Sequence, residues 1–342
     1  MTIRGLTLGK FAPFHRGHQL VVETALVECD EVVVLIYDAP DVTTVPLPVR
    51  AGWIRRLYTS VRVIEVWDGP QAVGRDPDLM RRHEECVLRV LGDTRIDRFY
   101  SSEFYGEHMS RALGAEDRRV DPDRTRVPVS ATEIRADAFR HRAFVAPEVY
   151  RDLLVNVLLL GAPSTGKTTL AERLARDAGT KWMPEYGREI WEQHHVDRRL
   201  TPEQLVEIAR GHVEREEALL LESDRMLFCD TNALTTLVFA HAYHGAALPE
   251  LERIAATCAT RYDLTFVCGD DIRYADTWDR SGDGARDVMQ RRTLAELAAR
   301  HIPYLVLRGD LAARAATVRR VLSRFTKFGN PAVAFAGETG AC

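Results

Sequence analysis

Lysine is nearly missing from this chain. Of its 46 basic residues only Lys10, Lys167, Lys181 and Lys327 are lysines, and the rest are arginines. No long run of one charge sign occurs and the net charge is −4, which argues against nucleic acid or a membrane surface as partner. No stretch of about 18 apolar residues and no signal peptide is recognisable, so a cytoplasmic protein without a membrane span is expected. The six cysteines, Cys29, Cys86, Cys229, Cys258, Cys268 and Cys342, are scattered without a C-x-x-C pair. That spacing points away from a zinc site and from a disulfide framework. No Gly/Ser-rich linker occurs either, so any domains are expected to follow one another directly.

What is present suffices for two domains: 342 residues, 46% of them hydrophobic. Two of the rare lysines sit in loops between a strand and a helix. Lys167 belongs to Gly161-Ala162-Pro163-Ser164-Thr165-Gly166-Lys167-Thr168, a GxxxxGK[ST] pattern. An apolar run, 155–160, precedes it and a helix-forming run, 169–178, follows. Backbone N–H groups and the helix N-terminus there converge on one anion. Gly161, Ser164, Thr165, Gly166, Lys167, Thr168 and Thr169 are therefore candidate ATP contacts, and the Thr168 hydroxyl is a candidate Mg²⁺ ligand.

Lys10 belongs to the other loop. Residues 3–8 read as a strand running into Gly9-Lys10-Phe11-Ala12-Pro13-Phe14-His15-Arg16-Gly17-His18 and then a helix to Cys29. Strands at 31–37, 61–66 and 98–101 alternate with helices at 49–57 and 79–91. The fold class expected is α/β, with doubly wound parallel sheets that bind ligands at the carboxyl ends of strands. His15 and His18 at a helix start, beside Lys10, form a candidate polyphosphate site, with Gly17 leaving room for close approach. Further on, Ser130 is placed as an N-cap with Glu133 completing a capping box. Thr132 and Arg135 fall within one turn of that helix.

The Gly9–His18 motif resembles the signature of the nucleotidyltransferase superfamily that contains nicotinamide-nucleotide and pantetheine-phosphate adenylyltransferases. Val129-Ser130-Ala131-Thr132-Glu133-Ile134-Arg135 resembles its second signature, I-S-x-T-x-x-R, with Val129 in place of isoleucine. The resemblance implies that Gly9, Lys10, Phe11, His15, His18, Ser130, Thr132 and Arg135 hold ATP, with His15, His18 and Arg135 catalytic. A nucleotide phosphate would attack the α-phosphorus and pyrophosphate would leave, by positioning and charge neutralisation. Arg50 and Trp53 resemble the R-x-x-W segment of the nicotinamide-nucleotide branch and are candidates for the acceptor nucleotide. The other reading of that pair is a solvated arginine beside a core tryptophan. Residues 101–106 resemble the same branch's S-S-E-x-Y-G/A loop.

In the second half, Glu185, Tyr186 and Arg188 cluster after a short strand. Thr201-Pro202 starts a long helix carrying His212. The apolar strand 226–230 ends in Asp230, placed either beside Mg²⁺ or at the acceptor hydroxyl as base. The charged loop 270–287, with Arg280 and Arg286, reads either as a lid bringing arginine to the transferring phosphoryl group or, from composition alone, as a disordered surface loop. This half resembles the ribosylnicotinamide kinase half of the bifunctional NadR-type family. That resemblance implies nucleoside contacts from Glu185, Tyr186, Arg188, Asp230 and Asn232, ATP contacts from Arg280 and Arg286, and catalysis by Lys167 and Asp230. Thr168 and Asp230 would hold Mg²⁺. Two departures stand out: Ala162-Pro163 in the phosphate loop, and a lid without a clean D-G-x-R.

The expected organisation is an adenylyltransferase domain at 1–147, a P-loop nucleoside kinase domain at 152–326 and a frayed tail at 327–342. The implied partners are ATP, nicotinamide mononucleotide, ribosylnicotinamide and NAD. A homo-oligomer is compatible with the sequence. One alternative keeps both reactions with other acceptors, such as phosphopantetheine. Another is a nucleotide-sensing regulator of transcription. It is disfavoured by the acidic charge and by a first strand that starts by residue 3, which leaves no room for an N-terminal helix-turn-helix.

Overall fold

The computed structural model describes residues 2–72, 74–103, 105–196, 199–272 and 283–338, with side chains in the last segment from residue 286. The chain forms two compact units, Met1–Asp152 and Leu153–Cys342.

The first unit runs β1 (Arg4–Gly9), α1 (Arg16–Glu28), β2 (Glu31–Tyr37), α2 (Leu47–Leu57), β3 (Arg62–Val66), α3 (Pro77–Leu91), β4 (Arg98–Ser101), α4 (Gly106–Leu113), β5 (Glu116–Arg119), α5 (Ala131–Ala136) and α6 (Pro147–Leu153). Its sheet has the order β3-β2-β1-β4-β5, every pair parallel. β2 is a near-continuous apolar run, as a parallel strand covered on both faces requires. In β2 only Glu31 is exposed. β5 was not expected from the sequence. Its residues, Glu-Asp-Arg-Arg, carry no apolar signal, and it pairs only with β4 at the sheet edge. Charge on an edge strand blocks further pairing.

The second unit runs β6 (Val155–Leu160), α7 (Lys167–Ala178), β7 (Trp182–Met183), α8 (Tyr186–His194), α9 (Pro202–Leu221), β8 (Met226–Asp230), α10 (Ala233–His244), α11 (Pro249–Arg261), β9 (Leu264–Cys268), α12 (Asp283–Ala299), β10 (Leu305–Leu307), α13 (Leu311–Arg324) and α14 (Pro331–Phe335). Its order is β10-β9-β6-β8-β7, again all parallel. Thr201 caps α9 in a capping box with Gln204, and Pro202 opens the helix. As far as residue 338 the tail is packed, where fraying was expected. α14 buries Ala334 and Phe335 against the sheet core, and Glu338 pairs with Arg320 at 2.9 Å. Among the described residues no helix is long and apolar enough to cross a membrane.

In each sheet the strand before a glycine-containing loop is the middle one, β1 or β6, with neighbours on both sides reached by opposite windings. That is the switch point of a doubly wound sheet, where a crevice opens outside the strand ends.

Candidate active sites

The loop after β1 folds around two imidazoles. His15 is the N-cap of α1, and its Nδ1 accepts from Gly17 N at 3.1 Å. His18 Nδ1 accepts from His15 N at 3.3 Å. The ring centroids are 3.8 Å apart, and His18 packs on Phe11 and Phe14. Since both Nδ1 atoms are acceptors, each neutral ring carries its proton on Nε2. Burial, followed by the nearby Arg124 charge, lowers His15 to about 4. Burial and then His15 hold His18 well below the usual imidazole value. The pair is thus two uncharged Nε2–H donors.

A Cβ at Gly17 would stand 2.9 Å from His15 Cε1, so the missing side chain makes room for that ring, and Gly17 itself lines a small pocket beside the two histidines. Phe11 takes a φ of 46°, the left-handed region that a bulky side chain rarely adopts, and is only 4% exposed. That backbone turns the loop so that Lys10 and His18 share one cavity.

The cavity is about 260 Å³ and is lined by Gly9, Lys10, Phe11, His18 and Arg135 among the expected residues. Lys10 donates to Gln71 O at 2.6 Å, and burial lowers its pKa. Arg135 donates to Ala12 O at 2.5 Å and to Thr132 Oγ1 at 3.0 Å, tying the second motif to the first loop. His15 and His18 also line a small adjoining pocket with Asp121 and Arg124. Ser130 and Thr132 do not line the larger cavity. Ser130 caps α5 in a capping box with Glu133, and Thr132 serves Arg135.

Arg50 and Trp53, expected at the acceptor nucleotide, are corrected. Both are fully buried and neither lines the cavity. Arg50 donates to Lys10 O, to Tyr37 O at 2.9 Å and to Val45 O at 3.0 Å, and pairs with Asp38 at 3.4 Å. It ties the ends of β1 and β2 together. Trp53 Nε1 donates to Asp152 Oδ2 at 2.7 Å. A strand-end bundle of carbonyls needs a buried cation with a planar fork, which arginine supplies. Ser101, Ser102, Glu103 and Tyr105 of the 101–106 loop line this cavity; Tyr37, His83 and His108 line it too and were missed, since isolated aromatic residues on separate elements leave no local pattern.

In the second unit the phosphate loop is held from behind. Gly161 at φ 136° approaches Cys268 O so closely that a Cβ would stand 2.6 Å from it. Ala162 N donates to Gln290 Oε1 at 2.7 Å, and Arg314 donates to Thr165 O at 2.6 Å and to Asp271 Oδ1 at 2.7 Å. Lys167 opens α7, is 7% exposed and donates to Ala162 O at 3.0 Å. Thr168 Oγ1 donates to Asp230 Oδ2, while Asp230 Oδ1 is buried with no partner among the described residues. Burial and then Glu185 raise Asp230 to about 6, against the lowering pull of Lys167.

A cavity of about 450 Å³ opens in front of this loop. Gly161, Ser164, Gly166, Lys167, Thr168, Thr169, Glu185 and Arg188 line it. Trp191, Phe239 and Tyr243 supply aromatic walls, and His212 lines it too. Those walls were missed because they are scattered over α8 and α10.

Five expected contacts lie elsewhere, Asp230 behind Thr168 among them. Thr165 is fully buried, its hydroxyl donating to Ala162 O. Tyr186 packs against Gly211 of α9 under the Arg215 guanidinium, 4.0 Å from its ring, outside the cavity lining. Asn232 is 2% exposed and caps α10 through Leu234 N. Arg286 is also buried, donating to Ser164 O at 3.3 Å and Ile272 O at 3.1 Å, so it braces the loop instead of lining the cavity. Arg280 lies outside the described residues.

A nucleotidyltransferase-type unit followed by a P-loop unit is the class these sites define. Residues 6–137 match the cytidylyltransferase-like family and residues 156–314 an AAA domain. The chain is 30% identical over 158 residues to the nicotinamide-nucleotide adenylyltransferase of Halorubrum lacusprofundi, spanning 45% of this chain and 88% of that protein. It is 26% identical over 285 residues to the trifunctional NAD biosynthesis/regulator protein NadR of Escherichia coli K12, spanning 77% of this chain and 68% of NadR. A crystal structure of NadR protein in complex with NAD and AMP-PNP superposes with a TM-score of 0.52 at 22% identity, over 90% of this chain and 92% of that one. The chain belongs to the nicotinamide-nucleotide adenylyltransferase family, in the two-unit arrangement of NadR-type proteins.

Proposed function

We propose that the first unit transfers the adenylyl group of ATP to nicotinamide mononucleotide, forming NAD, and that the second phosphorylates ribosylnicotinamide to that mononucleotide. The observation that carries this reading is the pairing of a phosphate-binding loop with its own cavity at the switch point of each sheet.

In the first unit, the Nε2–H groups of His15 and His18 donate to polyphosphate oxygens as charge moves onto pyrophosphate. Lys10 and Arg135 neutralise that charge. Neutral donors fixed before binding need no reorganisation during reaction, which is where such groups gain their effect. No covalent intermediate is required, and positioning of the acceptor phosphate does the rest.

In the second unit, Lys167 moves from Ala162 O to the β/γ-phosphates. Glu185, in the cavity lining, holds the acceptor 5′-hydroxyl in line with the γ-phosphorus, and Arg188 meets the transferring group. The residues fit Mg²⁺: the orphaned, buried Asp230 Oδ1 and the Thr168 hydroxyl are hard oxygen donors side by side. Mg²⁺ held there by Thr168 and Asp230 would supply neutralisation of the charge that develops on the transferring phosphoryl group. Asp230 stands behind Thr168 rather than in the cavity lining, which favours the metal side for it over the base.

The test is direct. The chain is incubated with ATP, Mg²⁺ and either nicotinamide mononucleotide or ribosylnicotinamide, and products are separated by chromatography. NAD and pyrophosphate from the first, and mononucleotide and ADP from the second, are expected. Turnover of phosphopantetheine but not of the nicotinamide compounds would overturn the assignment.

A further inference from the structure

His212 of α9 is 3% exposed and lines the second unit's cavity, yet nothing above uses it. Its Nε2 lies 3.7 Å from Glu216 Oε2 and has no hydrogen-bond partner among the described residues. Glu216 is fully buried one helical turn further on. It accepts from Asn156 Nδ2 at 2.8 Å, Arg261 Nε at 2.8 Å and Tyr262 OH at 2.7 Å. Those three donors fix the carboxylate, so one side of the imidazole always faces negative charge. A neutral ring there keeps its proton on Nε2 and leaves the Nδ1 lone pair as acceptor. Burial, then Arg261 and Arg215, lower the imidazole to about 4, so the ring is neutral at physiological pH. Arg215 is itself paired with Glu189 at 2.8 Å, and Arg261 with Glu216.

Position decides what this acceptor can meet. Asn156 is the second residue of β6, at the opposite end of that strand from the phosphate loop. The Glu216–Asn156 bond therefore places His212 on the side of the cavity remote from Lys167. On the nucleoside-kinase reading, an acceptor with its 5′-hydroxyl at the loop would turn its heterocycle toward that side, where Trp191, Phe239 and Tyr243 also line the cavity.

We infer that His212, backed by Glu216, accepts a hydrogen bond from an N–H on the acceptor's heterocycle, so that the second unit takes a carboxamide nucleoside and rejects the corresponding carboxylate. This rests on the nucleoside-kinase reading above. A carboxylate has no proton to offer, and it would face both the Nδ1 lone pair and the charge behind it. Selectivity built on a donor that the wrong substrate lacks is strong, because the site's own polar group is left unpaired.

The test measures kcat/KM for ribosylnicotinamide and for nicotinic acid riboside on the full chain, together with the KM for ATP. The wild type is expected to prefer the amide by about 100-fold or more. His212→Phe should raise the KM for the amide at least about tenfold, leave the KM for ATP unchanged and bring the amide-to-acid ratio toward one. His212→Gln, which keeps an acceptor and presents an N–H toward Glu216, should retain part of the preference. If His212→Phe does not fold, as its melting curve would reveal, the wild-type and Gln ratios decide. A wild type without preference overturns the inference. So does a ratio that survives either substitution in full. A wild type that binds ATP but phosphorylates neither nucleoside overturns the proposed acceptor before His212 is changed, and the inference falls with it.

Discussion

Thr168 Oγ1 donates to Asp230 Oδ2 at 2.5 Å, the end of β8 closing on the first turn of α7. Burial and the neighbouring Glu185 carboxylate raise Asp230 from 3.8 to about 6. The folded unit therefore holds an extra proton between those values, and this group's contribution to stability is lost as pH rises through about 6. Asp230→Asn should abolish phosphoryl transfer while stabilising the ligand-free second unit above pH 6 by on the order of 1 kcal/mol. Thermal unfolding at pH 5 and pH 8, with and without Mg²⁺ and ATP, checks it. An equal change in stability at both pH values would contradict the burial argument.

The histidine pair gives the opposite slope. His15 and His18 are held neutral in the fold, with His15 lowered to about 4 from 6.5. Below 6.5 the unfolded chain binds protons that the fold refuses, so stability falls as pH drops. His18→Asn should reduce the acid sensitivity of the first unit, by about 1 kcal/mol between pH 7 and pH 5. Unfolding of wild type and variant at the two pH values measures the difference, and identical pH slopes would refute it.

Arg50 is expected to act on folding rather than on acceptor binding. Arg50→Ala leaves the carbonyls of Lys10, Tyr37 and Val45 without this donor, at a cost of roughly 3 kcal/mol. The first unit should unfold earlier, while at temperatures where it remains folded the KM for nicotinamide mononucleotide changes less than about twofold. A large KM effect without loss of stability would return Arg50 to the acceptor site.

Gln290 and Arg314 are buried and hold the phosphate loop through Ala162 N and Thr165 O. Gln290→Ala should raise the KM for ATP in the kinase reaction about tenfold, a loss near that of one buried hydrogen bond. Adenylyl transfer should be untouched. Steady-state kinetics of both reactions on one preparation provide the check.

Sequence carried the fold where hydrophobic pattern and local motif coincide. The strands around both loops, the cap at Thr201 and the phosphate loop residues were legible because each is a short-range rule. β5 was hidden because an edge strand of four charged residues has no periodicity to read. The R-x-x-W pair was legible as a helix face but not as to its direction. Which way Arg50 points depends on carbonyls from β1, β2 and the loop before α2 that no local pattern encodes. The same holds for Trp191, His212 and Tyr243, which meet in one cavity only after three helices pack. Tyr186, adjacent to Glu185 in sequence, turns to the opposite side because the glycine at 211 opens a slot for its ring.

Independence of the two sites is tested most directly by assaying both reactions on Lys167→Ala and on His18→Ala. Lys167→Ala should lose phosphorylation of ribosylnicotinamide by at least about 100-fold and keep adenylyl transfer, and His18→Ala should do the reverse. Loss of both activities from either variant, with both units still folded, would contradict the account.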